Sequence, residues 1–330
     1  MIQRLSLIVS VYNEEAVLDQ FYAAAKPVLE SLPCDHELLF VNDGSKDGSA
    51  GILERFALQD PKVKVVNFAR NYGHESAMIA GIDYSCGDGL ICMDADLQHP
   101  VECIPEIVQK FNEGYEVITM IRTANRKVPL WKKLSSGLFY KILNGLSEVK
   151  FDDNASDFFC MTRQPANILK KYFRESKRFL RAFVQNIGFK KTSIEYEAHD
   201  RAAGVSKYNF KRLVKFSISA LISFSDVPLR IATWCGGIAA FLCLLMIIYT
   251  VVSYFITGTP DGYATIIVIT CGLFMVVFFL LGIIGEYLAT ILAEVRRRPI
   301  YLVRDVINME NRFPDGVNEG EEFRNGAPLI

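Results

Sequence analysis

The sequence predicts an α/β protein, with a mostly parallel sheet flanked by helices, followed by amphipathic segments lying at a membrane surface and by two transmembrane helices. Three observations predict it. Short apolar runs of strand length alternate with helical stretches through the first 121 residues. Each apolar run ends in polar or charged residues, so the strand ends gather on one edge of the sheet. Two long runs near the C-terminus carry no charge at all.

Residues 5–11 form the first strand, ended by Tyr12-Asn13-Glu14-Glu15, and residues 16–32 have helical composition. Residues 37–41 are a second strand that closes on Asn42-Asp43-Gly44-Ser45, a turn leading into a helix to about Leu58. A third strand spans 63–68, Asn71-Tyr72-Gly73 turns the chain, and 74–84 is helical. Residues 90–93 are a fourth, buried strand, 101–112 a helix, and 117–121 a fifth strand ending at Arg122. Residues 123–227 read as a second layer wrapped over the first, with Leu134, Leu138, Ile142 and Leu146 at helical spacing. Residues 209–226 interleave Lys211, Arg212 and Lys215 with Phe210, Leu213, Val214, Ile218 and Leu221, the pattern of an interfacial helix.

Residues 231–260 and 262–285 are uncharged, and either run is ample for a span, since about 20 helical residues cross a hydrocarbon core. Between them, residues 257–262 hold no Lys or Arg, whereas Arg230 precedes the first run and Arg296-Arg297-Arg298 follows the second. Positive charge stays on the cytoplasmic side, so both flanks and both termini are expected there. Small residues in the spans, Gly236-Gly237 and Gly282 with Gly285, would permit close helix contacts in a homo-oligomer.

The net charge of -1 hides a segregation. Residues 1–121 carry 8 Lys and Arg against 19 Asp and Glu, 122–215 carry 21 against 8, and 216–330 carry 7 against 10. The balances of -11, +13 and -3 sum to -1. A basic middle implies an anionic partner, phosphates or lipid headgroups. Nucleic acid is disfavoured, because no basic motif is interleaved with aromatics. The eight cysteines are scattered, without a Cys-x-x-Cys pair, which argues for a reducing compartment and against structural zinc or a disulfide framework.

Asp94-Ala95-Asp96-Leu97-Gln98-His99-Pro100 follows the fourth strand directly. Two carboxylates and an amide oxygen at the carboxyl end of a strand suit Mg²⁺ or Mn²⁺, hard cations that leave further positions to a diphosphate. Helix capping and turn formation are the alternative reading of the same residues. Arg201, Gly204, Ser206 and Lys207 combine cations, a hydroxyl and a flexible point, as a loop closing over phosphates needs, or else form a solvated basic loop.

Val11-Tyr12-Asn13-Glu14-Glu15, Asn42-Asp43-Gly44-Ser45, Arg70-Asn71-Tyr72-Gly73, Asp94 to Pro100 and Arg201 to Tyr208, in that order, resemble the family 2 glycosyltransferases. The likeness is to their polyisoprenyl-phosphate branch, which includes bactoprenol glucosyltransferases and dolichol-phosphate mannose synthase. It implies a GT-A domain, expected in the cytoplasm over residues 1–208; the residue patterns above add a juxtamembrane amphipathic segment over 209–228 and a two-helix membrane hairpin over 229–295, and the polar, acidic C-terminal residues a partly disordered cytoplasmic tail over 296–330. It also implies that Tyr12, Glu14, Asp43 and Asp94 bind the donor nucleotide and that Asp94, Asp96 and Gln98 hold the metal. Asp94, Asp96 and Asp157 would be catalytic, and Arg122, Arg201, Ser206 and Lys207 would bind the diphosphate and the lipid phosphate. Asn42, where the family often has Asp, and Phe159, where it often has Arg, depart from the pattern.

The activity so implied is inverting transfer of one sugar, first of all glucose from UDP-glucose, to undecaprenyl phosphate at the cytoplasmic face of a bacterial inner membrane. GDP-mannose, UDP-GlcNAc and UDP-amino-arabinose are the alternative donors, and a non-catalytic, membrane-anchored binder of nucleotide sugars is the alternative to an enzyme. A processive polysaccharide synthase is disfavoured, since neither Trp131 nor Trp234 lies in a Gln-x-x-Arg-Trp motif.

Overall fold

The computed structural model describes residues 1–123, 155–175, 180–197, 262–296 and 298–309, with scattered helical positions between Leu229 and Ile256. The elements are β1 (Arg4–Val11), α1 (Leu18–Glu30), β2 (Asp35–Asn42), α2 (Ser49–Gln59), β3 (Val63–Phe68), α3 (His74–Tyr84), β4 (Gly89–Asp94), α4 (Ile104–Asn112) and β5 (Val117–Arg122). They continue with β6 (Ala155–Thr162), α5 (Arg163–Tyr172), α6 (Leu180–Asn186), β7 (Lys191–Tyr196), α7 (Tyr263–Val295) and β8 (Val303–Ile307).

Among the described residues the strands form one eight-stranded sheet in the order β7-β5-β6-β4-β1-β2-β3-β8. β1 pairs in parallel with β2 on one side and β4 on the other, and β2 with β3. The chain therefore reverses its direction of winding between β1 and β4. A crevice opens at the carboxyl ends of such a strand pair.

Alternation along the strands decides what covers each face, because successive side chains point to opposite sides. Leu5, Leu7, Val9 and Val11 of β1, Leu38 and Phe40 of β2, and Ile91 and Met93 of β4 pack with α1, α2 and α4. Ile8, Leu39, Val41, Leu90 and Cys92 pack with α3, α5 and α6 on the other face. α4 shows the match of period to burial, with Ile104, Ile107, Val108 and Phe111 buried at helical spacing. α3 lies so close to β1 that a Cβ on Gly81 would stand 2.1 Å from Ile8 Cγ2.

The first five strands fall where the alternation of apolar runs puts them, but residues 123–227 do more than wrap the sheet. β6 enters between β4 and β5, antiparallel to both, and β7 joins β5 in parallel. An antiparallel insertion needs no crossover helix, so nothing in the strand-helix rhythm announces it. The chain after the apolar helix, read as tail, supplies β8, antiparallel to β3.

Two compact units result, one containing the sheet, β8 included, and the other containing α7. In α7, the most apolar 18-residue stretch within residues 272–295 has a mean hydropathy of 2.2 and none of it is buried, so this helix is long and apolar enough to cross a membrane. The 124–150 segment, the amphipathic 209–228 segment, the 310–330 tail and most of the first predicted span lie outside the described residues.

Candidate active site at the carboxyl edge of the sheet

The loops after β1 and β2 are laced together. Asn13 N–H donates to Ser45 Oγ (3.0 Å), Lys46 N–H to Asn13 Oδ1 (2.8 Å) and Glu14 N–H to Ser49 Oγ (3.0 Å). Asn13 takes a left-handed φ of 57°, a conformation Asn adopts more readily than most residues. Tyr12 and Glu14 flank it, both partly buried.

Asp43 fastens the next loop. The residue is 2% exposed, and its carboxylate accepts from the N–H groups of Tyr72 (2.6 Å) and Gly73 (2.9 Å) and from Asn71 Nδ2 (2.8 Å). Burial raises its pKa, although the two N–H groups oppose the shift. Gly73, at φ 96°, then turns the chain into α3, whose first residue is His74.

At the end of β4, Asp94 lies in register with Ser10 of β1. Its Oδ1 accepts from Ser10 Oγ (2.9 Å) and lies 3.2 Å from His74 Nδ1. Both side chains stay open to a ligand, His74 being 35% and Asp94 33% exposed. Burial opposes a charge on His74, but the carboxylates of Asp94, Asp157, Glu75 and Asp43 prevail and raise its pKa.

His99 does the reverse. It is buried, its ring stacks on Phe158 at 5.0 Å, and its Nδ1 accepts the Asp94 backbone N–H at 3.1 Å. Burial lowers its pKa in spite of Asp94, Asp96 and Asp157. His99 is therefore the neutral ring that closes the loop from Asp94, and its proton lies on Nε2. Within that loop Asp96 Oδ1 accepts the Gln98 N–H (3.1 Å) and Leu97 takes a φ of 60°.

Asp157 on β6 is 45% exposed, and its field reaches His74, Glu75 and His99. Glu75 is held high by burial first and Asp157 second, and its Oε2 accepts the Leu180 N–H (3.0 Å). Arg181 Nε lies 3.9 Å from Asp157 Oδ1. Arg122 ends β5, opposite Tyr196 in register. Arg201, Ser206 and Lys207 lie outside the described residues.

Ser10, His74 and His99 are the site residues that sequence reasoning passed over. A hydroxyl interrupting an apolar strand at its carboxyl end, and two of only four histidines placed beside motif loops, were the available signals.

Among the described residues no three His, Cys, Asp or Glu side chains cluster as ready-made metal ligands. Asp94 and Asp96 alone are hard oxygen donors that suit a cation completing its shell with phosphate oxygens and water, as Mg²⁺ does. Residues 6–188 match the family described as Glycosyl transferase family 2. The chain belongs to that family. Among its relatives is the uncharacterised glycosyltransferase YkcC of Bacillus subtilis, 38% identical over 310 residues, 93% of this chain and 95% of that one. Another is the SfII prophage-derived bactoprenol glucosyl transferase of Shigella flexneri, 33% identical over 302 residues, 91% of this chain and 97% of that one. Among solved structures, glucosyl-3-phosphoglycerate synthase from Mycobacterium tuberculosis, in complex with Mn²⁺, UDP and glucosyl-3-phosphoglycerate, is 18% identical with a TM-score of 0.42, over 67% of this chain and 79% of that one. Membership of family 2 makes the chain a glycosyltransferase with a GT-A-like α/β fold, and the edge assembled around Asp94 is its candidate active site.

Proposed function

We propose that this glycosyltransferase moves one sugar, glucose from UDP-glucose in the first instance, to a polyisoprenyl phosphate such as undecaprenyl phosphate at the cytoplasmic face of the membrane. The observation that carries the reading is the extent of the likeness to bactoprenol glucosyl transferases. It covers 91% of this chain and so runs far beyond the family match at residues 6–188, into the apolar C-terminal part of the sequence. A lipid phosphate lies at the headgroup plane, and spans at 231–256 and along α7 would hold the catalytic unit beside it. The basic middle segment attracts the same phosphate.

In this reading Tyr12, Glu14 and the turn fastened by Asp43 hold the nucleoside, and Asp94, Asp96 and Gln98 hold Mg²⁺ or Mn²⁺. Held there, such a cation would supply positive charge against the departing nucleoside diphosphate. An acceptor phosphate oxygen forms a bond to the anomeric carbon while that carbon's bond to the diphosphate breaks. Direct displacement inverts the configuration, from an α-linked donor to a β-linked product. The acceptor is an anion at neutral pH, so no base need abstract a proton, and Asp157 orients the sugar or the acceptor. Arg122, Arg201, Ser206 and Lys207 bind the phosphates, where preorganised charge lowers the barrier most.

The test is label transfer into an organic-extractable lipid. Full-length protein is given undecaprenyl phosphate and, in turn, UDP-glucose, GDP-mannose, UDP-GlcNAc and UDP-amino-arabinose, with and without Mg²⁺ or Mn²⁺. Metal-dependent transfer from UDP-glucose is expected, and Asp96→Ala should cost about 4 kcal/mol, roughly a thousandfold in rate. Transfer from a different donor alone corrects the sugar. Binding without transfer overturns the enzymatic reading in favour of a scaffold, and wild-type turnover by Asp96→Ala or in excess chelator removes the metal role.

A further inference from the structure

We propose that Ser10 and His74 form a positioning pair that locks the carboxylate of Asp94 and so sets the affinity of the Asp94–Asp96 edge for a divalent cation. The inference rests on the cation role proposed above for Asp94. Three polar atoms form a triangle, with Ser10 Oγ 2.9 Å from Asp94 Oδ1, Ser10 Oγ 2.9 Å from His74 Nδ1, and His74 Nδ1 3.2 Å from Asp94 Oδ1.

Proton counting gives the triangle a direction. A serine hydroxyl has one hydrogen, and here it goes to Asp94. The contact between Ser10 and His74 must then be donated by the ring, which places a proton on Nδ1. That N–H is donated to Ser10 Oγ, and the ring nitrogen lies 3.2 Å from Asp94 Oδ1 as a charge contact. One oxygen of Asp94 is thus held from two sides, while Oδ2 has no hydrogen-bond partner among the described residues.

Without such a hold, the terminal torsion of an Asp side chain is broad and roughly two-fold. A carboxylate free to rotate presents its open oxygen to an ion only part of the time, and metal sites commonly depend on outer partners for this reason. The pair is built into the fold at both ends. Ser10 sits opposite Asp94 by strand register, and His74 is the first residue of α3, placed by the Gly73 turn that the Asp43 carboxylate grips. The hydrogen bonds of Asp43 to the Gly73 turn, the covalent step from Gly73 to His74, and the His74 and Ser10 contacts therefore join the loop after β2 to the carboxylate at the end of β4. Displacing that loop would be felt at Asp94.

The experiment measures Mn²⁺ binding by full-length protein in detergent, from the electron paramagnetic resonance signal of the free ion, with and without UDP. The variants are Ser10→Ala, His74→Leu, His74→Asn and, as the reference, Asp94→Asn. His74→Leu should weaken Mn²⁺ binding by about ten- to a hundredfold, as outer-shell losses do, and Ser10→Ala in the same direction by less. His74→Asn, whose amide can place a donor where Nδ1 stands, should recover most of the loss. A defect that was only a matter of folding would lower the melting temperature without this rescue of ion affinity. Unchanged affinity in both Ser10→Ala and His74→Leu, with Asp94→Asn impaired, overturns the positioning pair alone. Unchanged affinity in Asp94→Asn overturns the cation role of Asp94 and the pair with it. Ser10→Ala removes a single oxygen atom and keeps the test decisive if His74→Leu fails to fold.

Discussion

Gly44→Ala is the smallest change expected to damage both stability and catalysis. Gly44 follows Asp43 at a φ of 65°, and a Cβ there would stand 2.5 Å from the Arg70 carbonyl carbon, 2.7 Å from Asn71 N and 2.9 Å from Arg70 Cα. All three are backbone atoms, so no side chain can swing aside. The left-handed conformation costs an L-residue roughly 1–2 kcal/mol, and relieving the overlap costs about a further 1–3 kcal/mol. The sum, roughly 2–5 kcal/mol, converts to a fall in melting temperature of about 4–20 °C at about 2–4 °C per kcal/mol. Part of the strain must move the turn after β3, which carries the donors that Asp43 accepts and the residue that meets Asp94. The expected signature is a lower melting temperature, read by intrinsic fluorescence in detergent, together with a raised KM for the nucleotide sugar. Gly51→Ala is the control, since nothing lies within 4 Å of its Cβ position, and in the first turn of α2 it should be neutral or stabilising by up to about 1 kcal/mol. A Gly44→Ala protein that melts and turns over like the wild type would refute the argument from close approach.

Three further outcomes are expected. Buried Glu37 accepts from Ser6 Oγ, the Cys86 N–H and Lys64 Nζ, and although burial pushes its pKa up, these donors prevail and hold it below the ordinary 4.5. Its contribution to stability is therefore complete above pH 4.5 and is lost as the pH falls through the folded value. Glu37→Gln should remove that part of the acid limb in denaturant midpoints collected from pH 3 to 7. Asp83 is fully buried beneath a two-pronged contact from Arg174 (3.0 and 2.9 Å) and the Tyr301 hydroxyl (2.6 Å). Tyr301→Phe should cost about 1.5–3 kcal/mol and Arg174→Met about 3–5 kcal/mol, because the latter strands a buried charge. Equal melting temperatures for the two variants would contradict this ranking. Phe278, 68% exposed in the middle of α7, should tolerate Leu but not Lys, with Phe278→Lys costing roughly 2.5–3.5 kcal/mol of insertion and lowering the protein recovered in the membrane fraction.

Much of the sheet was legible because its inner strands are buried on both faces. Residues 5–11, 37–41 and 90–93 are near-continuous apolar runs, and each is closed by the polar residues that mark a strand end. β6 escaped notice because the basic residues around it dominate the composition, although 158–161 is a short apolar run of the same kind. β8 escaped because Arg304 and Asp305 give an edge strand the look of a solvated tail. At the site, the place of the carboxylate pair at the end of a strand could be read directly, since the apolar run before it is a local signal. Ser10 and His74 could not, because the triangle they form with Asp94 depends on a register between β1 and β4 and on the start of α3, neither of which is a local property. Asp43 stood out as a turn residue, but its grip on Asn71, Tyr72 and Gly73 exists only once β2 and β3 are aligned.

The way β8 completes the sheet bears on how the polypeptide is made. Asn67 of β3 and Asp305 of β8 are hydrogen-bonded partners 238 positions apart. At a synthesis rate of about 5–20 residues per second, β3 waits roughly 12–48 s for its neighbour. Throughout that interval the nascent enzyme shows an unsatisfied strand margin to every other nascent chain nearby, and only after the ribosome has finished the apolar helix is that margin sealed. Completion of the sheet is thereby timed by synthesis of the apolar helix, so a chain truncated before β8 is expected to stick to its own kind.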